Sequence, residues 1–233
     1  VASRVIAHVY LMGSQGGDRC IDRVCGDRHS RRVRVTLLGP VAAEGSLDVL
    51  GPRDRVVLAA LAVHPGQTVT AERLAEALWR EAPPASWPKV VQGCVVRLRK
   101  RLGADAIETT SRGYRLLLGD DEVDARRFER RVAKGRELMT LREWDRAAFA
   151  FTEALDLWRG QALVDLEGWE PADREATRLD QLRHDAEELR VEAALRAGRY
   201  RDVLAEIGAL VSDEPLREQR WGLLAWAQYQ AGR

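Results

Sequence analysis

From Arg32 to Gly39 apolar residues alternate, with Val33, Val35 and Leu37 at every second position, the period of a β-strand. Gly39-Pro40 and Glu44-Gly45 then punctuate short strands around Val41 and over 47–50. Pro52 opens a helix through RDRVVLAALAVH, which His64, Pro65 and Gly66 terminate. Thr70 is placed to cap AERLAEALW, whose buried face would be Leu74, Ala77 and Leu78. A third helix follows to Gly103, with Ser86 or Trp87 at its start and Pro88 confined to the first turn. Val91, Val95, Leu98 and Leu102 recur there at i, i+4, i+7 and i+11, which predicts a single apolar stripe. AIETT and GYRLLL then read as a hairpin joined through Ser111-Arg112-Gly113.

Beyond position 122 the period is helical throughout. Phe128, Val132 and Leu138 mark one helix, and Trp144, Ala147, Phe151, Ala154, Leu155 and Trp158 its partner. A long helix begins at Pro171 and runs through Leu179, Leu182, Leu189 and Ala193 to Gly198, and an antiparallel partner starts at Tyr200 and ends before Pro215. Residues 216–231 would open a third pair. Trp144, Ala147 and Phe151, and then Gly198, Tyr200 and Leu204, fall where tetratricopeptide-type repeats place packing residues. Such stacked pairs leave a concave surface for a partner. A plain helical bundle is the alternative. Trp158 and Trp169 flank the loop RGQALVDLEG and are expected to be packing anchors.

The predicted fold is mainly α with small β. A winged helix-turn-helix domain (N-terminal sheet, three helices, C-terminal hairpin) over 31–118 precedes an all-α, tetratricopeptide-like domain over 122–233. Residues 1–30 are rich in Gly, Asp and Arg without periodicity and are expected to be a poorly ordered leader.

Charge sharpens this. The net charge of +1 conceals an asymmetry: residues 31–118 carry 14 Lys/Arg against 8 Asp/Glu, whereas 119–233 carry 19 against 25. A basic half followed by an acidic half suggests one domain facing nucleic acid and another facing something else. On the third helix Lys89, Gln92, Gly93, Val96, Arg97 and Lys100 lie opposite the apolar stripe, flanked by Arg99 and Arg101. A helix buried on one side and basic on the other suits a major groove. A solvated surface helix is the bland alternative. Its place in the order of elements decides for the first, because this is the recognition position of a winged helix, with Arg112 at the wing tip.

The runs GPRDRVVLAALAVHPGQTVTAERLAEALW, PPAS, VQGCVVRLRKRLG and IETTSRGYRL closely resemble the DNA-binding domain of the Streptomyces antibiotic regulatory protein family, which has the OmpR-type winged helix. VDARRFE, LDLWRGQALVDLEGWEPA and LREQRWGLLAWAQYQAGR resemble the bacterial transcriptional activator domain that follows in that family. The resemblance implies activators that bind promoter direct repeats of double-stranded DNA as paired protomers, possible homodimers, and that contact RNA polymerase and its sigma factor. Arg97, Arg99 and Lys100 match the family pattern and are the expected contacts. Gly93 and Val96 depart from it, standing where Thr and Ser are common. A winged helix weakened by those two residues, serving a protein-interaction scaffold, is the second reading. The family's helical domain continues for several more helices, so truncation is expected, with Leu223, Leu224 and Trp226 left exposed.

No GxGxxG, GxxxxGK[ST], HExxH or GxSxG occurs, and His8, His29, His64 and His184 are scattered. His184 and the Glu187-Glu188 pair read as a solvated helix face. No enzyme and no cofactor is expected. Cys20, Cys25 and Cys94 form neither a CxxC nor a disulfide framework, which argues against structural zinc and fits a reducing, cytoplasmic setting. Cys20, Cys25 and His29 lack ligand spacing. VIAHVYLM has no small-residue cleavage site, so no signal peptide is expected. No apolar run reaches the roughly 18 residues of a membrane helix.

Overall fold

The computed structural model describes residues 34–45 and 49–232. The leader over 1–30, with Cys20, Cys25 and His29, lies outside them. The remainder from Arg31 onward forms one compact unit. Strands β1 (Arg34–Thr36) and β2 (Ala42–Glu44) make a two-stranded antiparallel sheet. Helices α1 (Pro52–Val63), α2 (Ala71–Trp79) and α3 (Trp87–Leu102) follow, then a second sheet of β3 (Thr68–Thr70), β4 (Ile107–Thr110) and β5 (Gly113–Leu116) in the order β3-β5-β4. Helices α4 (Asp124–Thr140), α5 (Trp144–Leu155), α6 (Glu170–Arg196), α7 (Tyr200–Asp213) and α8 (Glu218–Gln230) complete the chain.

Strand β3 has no counterpart in the sequence pattern. TVT is too short to alternate, and Thr70 doubles as the α2 cap, its Oγ1 accepting from Arg73 N at 3.2 Å. It completes a three-stranded wing sheet by pairing with β5. Gly113 makes this possible, since a Cβ there would lie 2.1 Å from the Val69 carbonyl oxygen. No strand forms at Val49-Leu50. At α3, Ser86 occupies the cap position but makes no side-chain cap bond.

The run from Val35 to Leu38 is buried throughout rather than alternately. The helical domain walls it in. Val35 N donates to Glu122 O at 2.7 Å, and Leu37 N and Leu38 N donate to the Asp124 carboxylate at 2.7 and 3.2 Å. The loop between α5 and α6 closes the seam as a strap. Arg159 N donates to Leu38 O and Leu163 N to Leu37 O, Asp165 accepts from Val41 N at 2.8 Å, and its other oxygen lies 3.0 Å from Arg55 Nε on α1. At the strap's far end the Arg80 guanidinium, just past α2, donates to Glu167 O. A single apolar core therefore runs from β1 and α1 through α4, α5 and α6 as far as Ala193. A second core joins the end of α6 to α7 and α8, centred on Val191, Ile207, Leu223 and Ala227.

The aromatic anchors hold as expected. Trp169 is buried, and Trp158 meets Phe128 edge-on at 5.4 Å with the Arg183 guanidinium over its ring. Two expectations for the last helices are corrected. Leu223 is buried, and Leu224 and Trp226 are half-buried against the second core, because α8 packs on both α6 and α7. Trp221 and Tyr229 are the exposed aromatics of α8 instead. Nor are His184, Glu187 and Glu188 a solvated face. Glu188 is buried and accepts from Arg217 Nε at 2.6 Å and Arg220 Nε at 3.1 Å. Arg220, itself buried, also reaches Glu187, His184 Nδ1 and the Leu210 carbonyl.

Candidate nucleic-acid interface

Helix α3 buries Val91, Cys94, Val95 and Leu98 against the winged-helix core. Cys94 joins the predicted stripe because it sits one turn before Leu98. Burial, with the Asp54 carboxylate beside it, pushes its thiol up to about 11, so it is an inert core group at neutral pH.

The opposite face is open. Lys89, Gln92, Val96 and Lys100 are exposed, and Gly93 is partly so. At 100° per residue Lys89, Val96 and Lys100 lie along the centre of this face, with Gly93 and Gln92 beside them. Lys89 and Lys100 make no ion pair among the described residues. Arg112 stands at the two-residue turn between β4 and β5, its side chain exposed.

The three arginines of α3 are otherwise engaged. Arg97, expected to point free of the core, forms a fork with Asp54 in the first turn of α1: Nε lies 2.9 Å from Oδ2 and Nη2 2.7 Å from Oδ1. Its Nη2 also donates to Cys94 Sγ at 3.2 Å. Asp54 is buried, and burial alone would raise its carboxyl; the Arg97 hydrogen bonds, helped by Cys94 and by the charge of nearby Arg101, outweigh that and hold it below the usual carboxylate range. Arg99 is turned toward the wing, Nε donating to Ile107 O at 2.8 Å and Nη2 to Thr109 Oγ1 at 2.7 Å. Arg101 Nη1 donates to Val49 O at 2.6 Å. These side chains brace α3 against α1, against β4 and against the segment before α1. Sequence spacing shows that they are basic and leaves open which partners they meet, since Asp54 lies 43 positions from Arg97.

Residues 48–116 match the family model described as the C-terminal domain of transcriptional regulatory proteins, and residues 123–233 match the bacterial transcriptional activator domain. The regulatory protein DnrI of Streptomyces peucetius is 32% identical, the match covering 86% of this chain and 79% of that protein. The chain belongs to the Streptomyces antibiotic regulatory protein family. Its members here also include the regulatory protein AfsR of Streptomyces griseus, 32% identical, of which the chain spans only 21%. Among solved structures, Mycobacterium tuberculosis EmbR in complex with a low-affinity phosphopeptide superposes with a TM-score of 0.79 at 30% identity, over 87% of this chain and 56% of that one. The family is one of transcriptional regulators rather than enzymes. Among the described residues no group of His, Cys, Asp or Glu is arranged to hold a metal ion, and no helix is long and apolar enough to cross a membrane.

Within this family fold the residues that sequence reasoning missed are the ones that position α3. Asp54 reads in sequence as an ordinary first-turn acid favoured by the helix dipole. Arg53 beside it is exposed and stacks over Trp79 at the end of α2, 5.9 Å from the ring centre. Neither signals its role by spacing.

Proposed function

We propose that the chain regulates transcription by binding double-stranded DNA sequence-specifically, with α3 in a major groove and Arg112 of the wing on an adjacent groove or backbone. The observation that carries this reading is the exposed line Lys89, Gln92, Gly93, Val96 and Lys100 on a helix whose position the surrounding arginines fix. Lys89, Lys100 and Arg112 supply the attraction to phosphates, and Gln92 and Val96 face the base edges. Arg97 and Arg99, the contacts expected from the family pattern, act first as braces. A paired arrangement on promoter direct repeats, with the acidic helical domain contacting RNA polymerase and its sigma factor, completes the proposal.

The second reading, a protein-interaction scaffold with weak or non-specific DNA binding, draws on the same face. That face carries two lysines without ion-pair partners among the described residues, while the three arginines of α3 bond within the fold. Salt separates the two. A specific binder with about three phosphate contacts per protomer loses affinity with a log–log salt slope near −3, and Arg112→Ala lowers that slope by about one. Footprinting of a selected sequence should show protected sites about one helical turn apart, sensitive to single mismatches. Binding that salt abolishes and mismatches leave unchanged would favour the scaffold.

A further inference from the structure

We infer that the outward face of α3 reads neighbouring A·T base pairs, Val96 packing on the C5-methyl of a thymine while Gln92 pairs with an adenine. This rests on the winged helix binding DNA and adds which bases it selects. Arginine forks on guanine are the commonest specific contact in a major groove. Here all three arginines of α3 are drawn into the fold: Arg97 Nε and Nη2 to the buried Asp54, Arg99 Nε and Nη2 to Ile107 O and Thr109, and Arg101 Nη1 to Val49 O. With Lys89 and Lys100 assigned to the phosphates, the side chains between them on the exposed line are one amide and one pair of methyls. Gln92 is exposed and Val96 is 44% exposed, an apolar side chain left in water at the centre of an otherwise polar face.

The chemistry of these two groups is selective. A glutamine amide pairs with adenine through two bonds, its oxygen accepting from the N6 amino group and its nitrogen donating to N7, and a methyl pair suits the thymine methyl. Gln92 and Val96 stand one helical turn apart, about 6 Å along the axis, which matches base pairs within two steps of each other. Gly93 lies between them with no side chain. A Cβ there would meet only the Arg97 Nη1, at 3.4 Å, so the gap faces the groove and lets the helix backbone approach the bases. Lys89 and Lys100 sit roughly 16 Å apart along the axis, one toward each end of α3 and within reach of the phosphates bordering the groove.

The test uses the full chain. Sequences are first selected from a random duplex pool at about 0.15 M salt. Each thymine of the winning site is then replaced in turn by deoxyuridine, which removes only the C5-methyl, and each adenine by 7-deazaadenine, which removes only N7. At one thymine the wild type should weaken about four-fold, the value of one buried methyl, and Val96→Ala should bind both duplexes equally. At a neighbouring adenine the wild type should weaken about ten-fold, with Gln92→Ala indifferent. Both side chains are exposed, so neither substitution threatens the fold. A selected motif in which no thymine methyl matters, or in which Val96→Ala stays as sensitive as the wild type, overturns this assignment and leaves specific DNA binding standing. A pool that yields no motif overturns the proposed function and this assignment with it.

Discussion

At the scale of single residues, the consequential pair is Asp54 and Arg97. Without the Arg97 guanidinium the buried Asp54 carboxylate loses both bonds of its charged fork. Arg97→Ala should therefore destabilise the chain by about 2 kcal/mol in chemical denaturation, and any loss of DNA binding will include displacement of α3. Unchanged stability would mean that the fork contributes little and Arg97 is free to swing outward. Acid should act on the two buried aspartates in opposite senses. Asp54 is held below its ordinary range, so its contribution is in place above the unfolded value of about 3.9 and fades as pH falls through the lower folded value. Burial raises Asp124, outweighing the N–H groups of Leu37 and Leu38 and the charge of Arg159. Its contribution is full below about 3.9 and is lost as pH rises through the raised folded value. Melting followed from neutral pH to about pH 3 should thus lose stability less steeply in Asp54→Asn and more steeply in Asp124→Asn than in the wild type.

At the scale of elements, the sequence located the eight α-helices and the β4–β5 hairpin of the described residues, most helices by a stripe at i, i+3 and i+4, α1 by the Pro and Gly that bound its apolar run, and the hairpin by its turn residues. What periodicity could not carry was pairing. Strand β3 exists because Gly113 lets two backbones meet, and α8 is covered because Arg220 and Arg217 reach the acids of α6. Charged residues in a helical pattern read as solvent-facing, so Glu188 gave no sign of its burial. Removing it should be costly: Glu188→Ala takes one of two carboxylates from the buried Arg220 and should lower stability by about 1.5–3 kcal/mol, with α8 amides losing protection from hydrogen exchange first. Gly135 illustrates the opposite case. Alanine is the better helix former, yet a Cβ at Gly135 would come within 2.5 Å of the Phe151 ring. Gly135→Ala should therefore destabilise the α4–α5 pair by about 1–3 kcal/mol, and a rise in melting temperature would show that Phe151 can move aside.

Across the whole molecule, the two family domains were legible as a change from mixed to helical periodicity and from basic to acidic composition. Their union was not, since the strap's contacts are mostly backbone groups and a few scattered charges, which carry no pattern. The shared core predicts that amides of α1 and α3 exchange with the same free energy as those of α4 and α5, whereas α7 and α8 open separately. Earlier exchange of α1 than of α4 would break that prediction. The strap has a further consequence for the DNA binding proposed above. Because Asp124, Arg159, Asp165 and Arg80 tie the helical domain to both the sheet and the helix-turn-helix, whatever that domain holds is carried at a set angle about the duplex axis. Distance from a promoter then counts in helical phase more than in length. Moving the site by about five base pairs should abolish the proposed regulation and moving it by about ten should restore much of it, as a jointed molecule would not require.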